Sequence, residues 1–544
     1  MSEIKRPVAR VNRDRQIPLF DEPPVPAPRP SSSAHTLAAR FVEPDPSELR
    51  VGTLPVSEHL RQMGVKEPLH VQKLLASMDW TAFESAYTGG GRPPYAPRLM
   101  TGIILYGLMK GISSLRELAR FARTDLGCMW VSGGIAPDYS ILGRFIQRHA
   151  ALFQGDFFEA LTEKVLKRTG SGRERLAGDG TVLEAVTSRF SLLSREATEA
   201  KAEQARAQQT ASSWQAPAKP QAYERLIESF EAHPRAKALS PLEPDACLLY
   251  LKNRRGSRLG YEAAVLANEA RVVVDAAMHP TSEQEAMLMM LDRLQGAGEL
   301  LLDAGFNNFK LIEKTLNKGL SLLCPERASP ARRGNQALIP ASEFSYDPEQ
   351  DCYFCPQGER LTPSRRCAAN EKAQRRAYVQ YSTPACRTCP IKDRCTSSRQ
   401  RVIKRTNGLE YKEALRTVMK QPQARRISAK RKAMVEPVFS HLRERQRLNR
   451  FRRRGLKGVN LELRLHLMAY NLSRAVHAAL LWFFCWAWLS LGRNTPVVIA
   501  QKVRPIERYV IRRRVAKLCQ GELAPKCYLR NGVLQHPLLA SGEP

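Results

Sequence analysis

The sequence predicts an α/β protein, with a catalytic domain built on a mixed sheet flanked by helices, an N-terminal helical domain and a cysteine-rich insertion. Three observations support this. Apolar residues recur at helical spacing between residues 55 and 150, short apolar runs typical of strands follow from residue 175, and six cysteines lie between Cys352 and Cys395. With 544 residues and 43% hydrophobic content, the chain is long enough for several domains with full cores.

The charge of the chain limits its partners. Lys and Arg number 85 against 53 Asp and Glu, a formal net charge of +32. Such an excess favours a polyanion such as nucleic acid, the alternative being a solvated basic surface. The first 30 residues are polar, basic and proline-rich without an apolar core segment, so we expect an intracellular, cytoplasmic protein whose cysteines are free thiols or metal ligands.

The N-terminal third divides into a tail and a helical domain. Residues 1–54 carry Pro and Arg without periodicity and are predicted to be a disordered basic tail. Residues 55–150 are predicted to be helical and to bind DNA. Ser114 and Glu117 are spaced as a capping box at the start of "SLRELARFAR". Short basic helices joined by tight turns are typical of a helix-turn-helix module, although a generic bundle has the same pattern.

The catalytic domain is predicted in two parts, at 151–345 and 401–492, with an inserted segment at about 188–244 and the cysteine-rich insertion at 346–400. "RLAGDGTVLEA" reads as a strand containing Asp179, and "ACLLYL", "YEAAVLA" and "ARVVVDAAM" are predicted to form a meander. Ser282 and Glu285 are predicted to cap the next helix. A further short strand then ends at Asp303 in "GELLLDAGF".

Two strand-borne carboxylates in such a domain indicate a magnesium site, because Mg²⁺ prefers oxygen ligands and is held by few carboxylates. An alternative is that each Asp is only a turn former or helix cap. A two-metal phosphodiester site needs a third acid, since one carboxylate bridges both ions. The basic segment from Arg425 to Lys457 offers Glu436 and Glu444. Glu436 is the better candidate because its apolar neighbours predict partial burial; its alternative role is a helix-terminal pairing with Arg431 or Arg443.

Together these motifs resemble the DDE transposases of bacterial insertion sequences, in the branch with a cysteine cluster between the second Asp and the Glu. The resemblance rests on "DGT" at Asp179, "LLLDAGF" at Asp303, "RKAMVEPVFSHLR" at Glu436, and the following "RRRGL" and "LHLMAYNLSR". It runs from about residue 55 to 474 and includes the helical segment with "YAPRLMTGIILYGLMKGISSLRELAR". Where relatives often carry Arg before and Lys after the Glu, this chain has Arg431 and Arg443, and Arg contacts phosphate as a fork.

The resemblance implies an RNase H-like catalytic domain that binds two Mg²⁺ or Mn²⁺ ions, cleaves phosphodiester bonds at element ends and joins the 3' hydroxyls to target DNA. Asp179 would bridge the ions, with Asp303 and Glu436 each holding one. The partners would be double-stranded DNA, as terminal inverted repeats and target, and further copies of the chain assembled on DNA. We expect phosphate contacts from the basic side chains of the Glu436 segment, namely Arg425, Arg426, Arg431, Lys432, Arg443, Arg452, Arg453, Arg454 and Lys457.

Two alternatives share the same basic surface. A nuclease or resolvase of the same fold would use the three acids without joining ends. A catalytically inactive DNA-binding protein descended from a transposase would bind the repeats without cutting.

The cysteines form two C-x-x-C pairs, Cys352 with Cys355 and Cys386 with Cys389. Such pairs predict a structural zinc site, with unmetallated thiols as the alternative. By resemblance the zinc ligands would be Cys355, Cys386, Cys389 and Cys395, leaving Cys352 and Cys367 as extras.

The most apolar stretch is "AALLWFFCWAWLSL", residues 478–491. It is shorter than a membrane span requires, so we predict a long helix buried in the catalytic domain and no membrane partner. The segment 493–544 is predicted to be a basic tail.

Overall fold

The computed structural model describes residues 39–210, 220–234, 236–251, 256–294, 298–327, 332–333, 336–370, 375–490, 528–530 and 533–535; within these, the side chains of 208–210, 220, 332–333, 336–337, 481–490 and 528–535 are not described. The described residues form two compact units. One comprises the described residues up to Lys164, Val182–Tyr261 and Leu442–Ala479. The other comprises Val165–Thr181, Glu262–His441 and the described residues from Leu480 onward.

The first described residues are ordered, contrary to the prediction of a tail extending to residue 54. A 3₁₀ turn at Pro46–Glu48 is followed by a hairpin of β1 (Arg50–Val51) and β2 (Leu54–Pro55). The Asp45 carboxylate accepts the Ser47 N–H at 2.9 Å, and Pro46 is buried. Local capping and one buried proline therefore order a segment whose composition lacks periodicity. Residues 1–38 lie outside the described residues.

A series of short helices follows and includes the segment predicted to be helical. They are α1 (Val56–Gln62), α2 (Glu67–Ala76), α3 (Thr81–Glu84), α4 (Pro97–Met109), α5 (Leu115–Thr124), α6 (Leu126–Ser132), α7 (Tyr139–Arg148), α8 (Ala150–Gln154) and α9 (Asp156–Thr169). Phe83 lies at the centre of their core, against the rings of Trp80, Phe153 and Phe157. The predicted capping box is wrong in one respect: α5 begins after Ser114, but the Ser114 side chain makes no capping hydrogen bond.

The largest sheet follows α9. Its elements are β3 (Arg175–Glu184), α10 (Arg195–Thr210), α11 (Pro220–Ala232), β4 (Cys247–Tyr250), β5 (Ser257–Asn268), β6 (Val273–His279), α12 (Glu283–Arg293), β7 (Glu299–Leu301), α13 (Phe309–Asn317) and β8 (Ser321–Leu323). The strand order is β4-β5-β3-β7-β8, with β6 paired to β5. The predicted meander is confirmed, since β4, β5 and β6 pair antiparallel, whereas β3, β7 and β8 are parallel. The sheet is therefore mixed.

The cysteine-rich segment folds on a second, antiparallel sheet. After the short pair β9 (Arg332–Arg333) and β10 (Gln336–Ala337), five strands follow in sequence order: β11 (Ser345–Asp347), β12 (Cys352–Phe354), β13 (Arg360–Cys367), β14 (Tyr378–Ser382) and β15 (Val402–Thr406). The short helix α14 (Lys392–Cys395) lies between β14 and β15. Tyr353, Tyr381 and Cys395 belong to the small core of this sheet, against which Cys355 packs.

Within the described residues, three long helices follow the second sheet. They are α15 (Leu409–Lys420), α16 (Pro422–Ser440), which continues into a π-helical turn at His441–Arg445, and α17 (Gly455–Ser490). Two short strands, β16 (Tyr528–Arg530) and β17 (Val533–Gln535), pair antiparallel. The predicted helix is present from residue 478 to 490 as the end of α17; the burial shown is that of the preceding part, where the residues between Val459 and Val476 are almost all buried. In the described part of the chain, no helix has the length and apolar character to cross a membrane.

Candidate active site

Asp179 lies on β3, between β5 and β7 in the strand order. The three preceding residues are buried, and the Asp179 side chain is 16% exposed. Its Oδ1 accepts the N–H of Gly180 at 2.9 Å, and its Oδ2 lies 3.1 Å from Arg431 Nη1. The strand therefore presents a carboxylate at the edge of the core, already paired with one cation.

The glycines beside Asp179 are explained by packing. A Cβ at Gly178 would lie 2.5 Å from Leu302 Cδ2 and 2.6 Å from Met287 Cε. A Cβ at Gly180 would lie 2.4 Å from Glu283 Oε2. Side chains of α12 and of Leu302, the residue after β7, thus pack directly on the β3 backbone, and a larger residue at either glycine would require these side chains to shift.

Asp303 lies two residues beyond the end of β7, which ends at Leu301 and not at Asp303 as predicted. The parallel register pairs Ala177 with Leu301, and each aspartate lies two residues beyond its member of that pair. Asp179 therefore lies within β3, which continues to Glu184, whereas Asp303 follows the end of β7 at the same level of the register. Asp303 also caps the 3₁₀ turn Ala304–Phe306, its Oδ1 accepting the Gly305 N–H at 2.8 Å. The capping role considered from the sequence is thus present beside the register match.

A buried thiol lies directly behind Asp303. Cys324 Sγ donates to the Asp303 carbonyl at 3.0 Å. Burial, followed by the negative charge of Asp303, raises the pKa of the Cys324 thiol to about 12, while Lys412 and Arg431 oppose that shift. Cys324 is thus a protonated donor that fixes the end of β7, and both Asp303 and Arg431 are within electrostatic range of it.

Glu283 is an acidic residue of this region that sequence reasoning missed. It is the first residue of α12, and the predicted cap before it is confirmed, since Ser282 Oγ accepts the Glu285 N–H at 3.2 Å. Its Oε2 lies beside Gly180, and its Oε1 would be 3.3 Å from a Cβ at Gly305. One carboxylate thus adjoins both glycines that follow the aspartates in sequence. Its only signal in the sequence is an acid directly after a helix cap. Acids are common at that position because the helix dipole stabilises them, so the residue did not stand out.

Glu436 lies in α16, but its predicted partial burial is wrong. Met434, Val435 and Val438 are buried, whereas Glu436 is exposed. The apolar residues share one face of the helix, and Glu436 projects from another. Glu436 and Pro437 both lie in the last turns of α16.

Arg431 is placed differently from the other predicted DNA contacts of its segment. Its side chain is 10% exposed, and besides Asp179 Oδ2 its Nη1 approaches the Gly178 carbonyl at 3.4 Å. In this conformation the Arg431 guanidinium contacts Asp179 and the Gly178 carbonyl, and its predicted phosphate contact stays a prediction. Its location on α16, five residues before Glu436, places that helix against the strand of Asp179.

The remaining predicted DNA contacts divide by exposure. Those that are exposed are Arg425, Arg426, Lys432, Arg443, Arg452, Arg454 and Lys457. Arg453 is buried, and its backbone N–H donates to Glu462 Oε2 at 2.9 Å, so a phosphate contact from its side chain is not available in this conformation. Glu462 also accepts the Arg452 N–H, which fixes the loop before α17.

Four cysteines of the small sheet are neighbours. Burial raises the pKa of the Cys395 thiol; Arg401 opposes this, and Cys386, Cys389 and Cys355 add to it. The backbone N–H of Gln357 lies 3.4 Å from Cys355 Sγ. These four are the thiols expected from the resemblance, whereas the Cys367 thiol hydrogen-bonds Tyr378 instead.

The donor chemistry at both places suits metals: carboxylate oxygens suit Mg²⁺ or Mn²⁺, and thiolates suit Zn²⁺. Their present spacing does not yet form a coordination sphere. Among the described residues, which include the three predicted acids and the six cysteines, no group of three or more His, Cys, Asp or Glu side chains is placed to hold a metal ion. At Asp179, the Arg431 guanidinium occupies one carboxylate oxygen.

Comparison with known proteins gives two family matches. Residues 354–476 match the model of the transposase DDE domain, and residues 60–148 match a transposase domain of otherwise undescribed function. The DDE match includes Glu436 and the four neighbouring cysteines but neither Asp179 nor Asp303. No curated protein matches the chain.

One solved structure similar to this chain is a piggyBac transposase synaptic complex with hairpin DNA. It is 11% identical, the alignment covers 76% of this chain and 75% of that chain, and the TM-score is 0.29. A likeness at that score carries no argument about fold or partners. The chain is thus similar to a transposase DDE domain over residues 354–476 and to a second transposase domain over residues 60–148.

Proposed function

We propose that the protein is a DNA transposase that binds the ends of its element, cleaves phosphodiester bonds there and transfers the 3' hydroxyl ends to target DNA. One observation carries the proposal: Asp179 on β3 and Asp303 just beyond β7 each lie two residues after the paired residues Ala177 and Leu301 of these adjacent parallel strands, in a chain with a transposase DDE domain match. A helix cap explains Asp303 alone. It does not explain why the two aspartates share a register.

We propose an RNase H-like fold for the catalytic domain. The mixed sheet supports it: β3 lies at the centre, with parallel β7 on one side and β5 on the other. The helices α12 and α13 alternate with strands β6, β7 and β8, as expected of a domain whose sheet is flanked by helices.

Asp179, Asp303 and Glu436 are the proposed catalytic acids and would hold two divalent cations, Mg²⁺ or Mn²⁺. When bound, such ions supply charge stabilisation to the attacked phosphate and lower the pKa of a bound water or hydroxyl. The chain itself contributes two carboxylates fixed by backbone N–H groups, from Gly180 and Gly305, so their oxygens are oriented before DNA binds. Arg431 balances the charge of the Asp179 carboxylate in the absence of a bound metal ion.

The exposed basic residues of the Glu436 segment are proposed to hold DNA phosphates, for terminal repeats and target alike. Such contacts position DNA without reading its sequence. The protein would act in the cytoplasm on nucleoid DNA, as an oligomer of this chain assembled on the element ends. We further propose that Cys355, Cys386, Cys389 and Cys395 hold a structural Zn²⁺ that stabilises the small sheet.

Cleavage and joining of DNA carrying the inverted repeats that flank the gene, with Mg²⁺ or Mn²⁺, test the proposal. We expect D179N to lose both reactions by at least about a hundredfold while retaining DNA binding, because the variant loses a carboxylate and no basic side chain. D292N is the matched control, since Asp292 is exposed on α12 and pairs with Lys314. A D179N protein that still cleaves would overturn the proposal.

The same assay separates the alternatives. Cleavage without joining, and without need for the repeats, would indicate a nuclease or resolvase. Repeat binding without cleavage by the native chain would indicate an inactive transposase derivative. Comparing E436Q with E283Q identifies the third acid: we expect E436Q to abolish cleavage, and a loss confined to E283Q would move that role to Glu283.

A further inference from the structure

The position directly after Glu436 is a proline inside a helix. Pro437 lies in α16, which continues beyond it to Ser440. A proline has no backbone N–H, so it cannot donate to the carbonyl four residues earlier, which here belongs to Ala433. The helix therefore lacks one of its own hydrogen bonds at the turn that carries Glu436.

A side chain from another element supplies the missing donor. Arg271 Nε donates to the Ala433 carbonyl at 2.9 Å. Arg271 lies in the turn between β5 and β6. Glu269, two residues before Arg271, lies 3.8 Å from Lys430, which is one turn before Ala433 on α16. The β5–β6 turn thus contacts α16 twice, once through a charge pair and once through a backbone carbonyl.

The turn that presents Arg271 is itself fixed. Arg271 has a φ of 62°, a left-handed conformation that a residue with a Cβ seldom adopts. Its N–H donates to the Asn268 carbonyl at 2.8 Å, and Asn268 Oδ1 accepts the Val272 N–H at 2.9 Å. The Asn268 amide in turn donates to Ser171 Oγ and to the Gly172 carbonyl, both at 2.9 Å. Asn268 is buried, so these bonds are shielded from water.

These contacts connect the strand of Asp179 with the helix of Glu436, two of the three carboxylates that the proposed function requires to act together. The segment at Ser171 leads directly into the strand of Asp179, Asn268 joins that segment to the β5–β6 turn, and Arg271 joins the turn to α16. We infer that Arg271 is a positioning residue for Glu436: its guanidinium completes the helix at the Pro437 gap and thereby sets where Glu436 stands relative to Asp179. This inference rests on the proposed function and assigns no contact between Arg271 and substrate.

The test is a double-substitution cycle on DNA cleavage. R271A removes the Arg271 donor from the Ala433 carbonyl, and we expect the cleavage rate to fall about tenfold to a hundredfold with substrate KM little changed, since misplaced catalytic groups cost rates of this order. P437A restores a backbone N–H to the helix and should cleave at close to the native rate. Because that restored N–H would then donate to the Ala433 carbonyl, the R271A/P437A double variant should recover most of the lost rate. A double variant as slow as R271A would overturn the inference.

Two further variants separate the guanidinium from its surroundings. R271G removes the same side chain while relieving the left-handed backbone, so it should be as slow as R271A; a native rate would mean that backbone strain, and not the guanidinium, matters. K430A removes the neighbouring charge pair but no carbonyl donor and should keep the native rate. If native protein and D179N were equally active, the proposed function would fail; if D179N is inactive while R271A is fully active, only the inference on Arg271 fails.

Discussion

The pairing of Arg431 with Asp179 predicts a measurable coupling between helix α16 and strand β3. Both side chains are nearly buried, at 10% and 16% exposure, and their nearest atoms are 3.1 Å apart. Removing one partner of a buried ion pair typically costs about 3–5 kcal/mol, because the other charge remains desolvated. Asp179 keeps a hydrogen bond from Gly180 N–H in R431Q. We therefore expect the substitution to destabilise this region by about 3 kcal/mol, the lower end of that range.

Hydrogen exchange of the β3 amides is the appropriate assay, because it reports local opening in a chain with more than one unit. A loss of about 3 kcal/mol corresponds to exchange roughly a hundredfold faster, at tenfold per 1.4 kcal/mol. D179N should also accelerate exchange, whereas D179N/R431Q should be more protected than the two single effects predict when added. R426Q, on an exposed position of the same helix, is the control and should exchange at the native rate. Additive single effects would refute the coupling.

Three other predictions concern the zinc, the DNA surface and one buried histidine. C395S should abolish the zinc content measured by mass spectrometry while C367S retains it; equal contents would remove the proposed site. Neutralising the exposed Arg454 and Lys457 together should reduce the slope of log Kd against log salt by about two, measured by fluorescence anisotropy with DNA, and an unchanged slope would make them a solvated surface. Burial, aided by the positive charge of Arg452, lowers the pKa of His466 to about 3, so the unfolded state alone takes up a proton as the pH falls below about 6.5. His466 should therefore lower the protection of α17 by about 2 kcal/mol between about pH 7.5 and pH 5, and H466Q should show a shallower pH dependence in hydrogen exchange.

The strand that contains Asp179 and the one that precedes Asp303 could be predicted because each is a short apolar run with a carboxylate in it or shortly after it. Their common register could not, since pairing between β3 and β7 joins residues 124 apart in the chain. Sequence patterns report on neighbours a few residues away, and the alignment of two parallel strands depends on everything packed between them.

The environment of Glu436 shows a different limit. The prediction that Glu436 lies on a helix is confirmed. Its predicted burial was inferred from the apolar residues beside it at 434, 435 and 438, but those residues face a different side of the helix from Glu436. The acceptance of Pro437 within α16 had no sequence signal, because its compensating donor, Arg271, is 162 residues from the carbonyl it contacts. The buried role of Arg431 was hidden for a similar reason, since an arginine among many basic residues reads as surface.

The register between β3 and β7 also determines when the catalytic strand can be completed during synthesis. Ribosomes add about 5–20 residues per second, so the separation of 124 residues keeps β3 without this neighbour for roughly 6–25 s after it has been made. Arg431 follows later still, 253 residues after Gly178. Long-range parallel pairing is slow even in a finished chain, because the entropy of closing a large loop is lost before contacts compensate for it. The nascent protein therefore holds Asp179 on an incomplete sheet while those residues are made, and the carboxylate gains its arginine partner only once translation has passed α16.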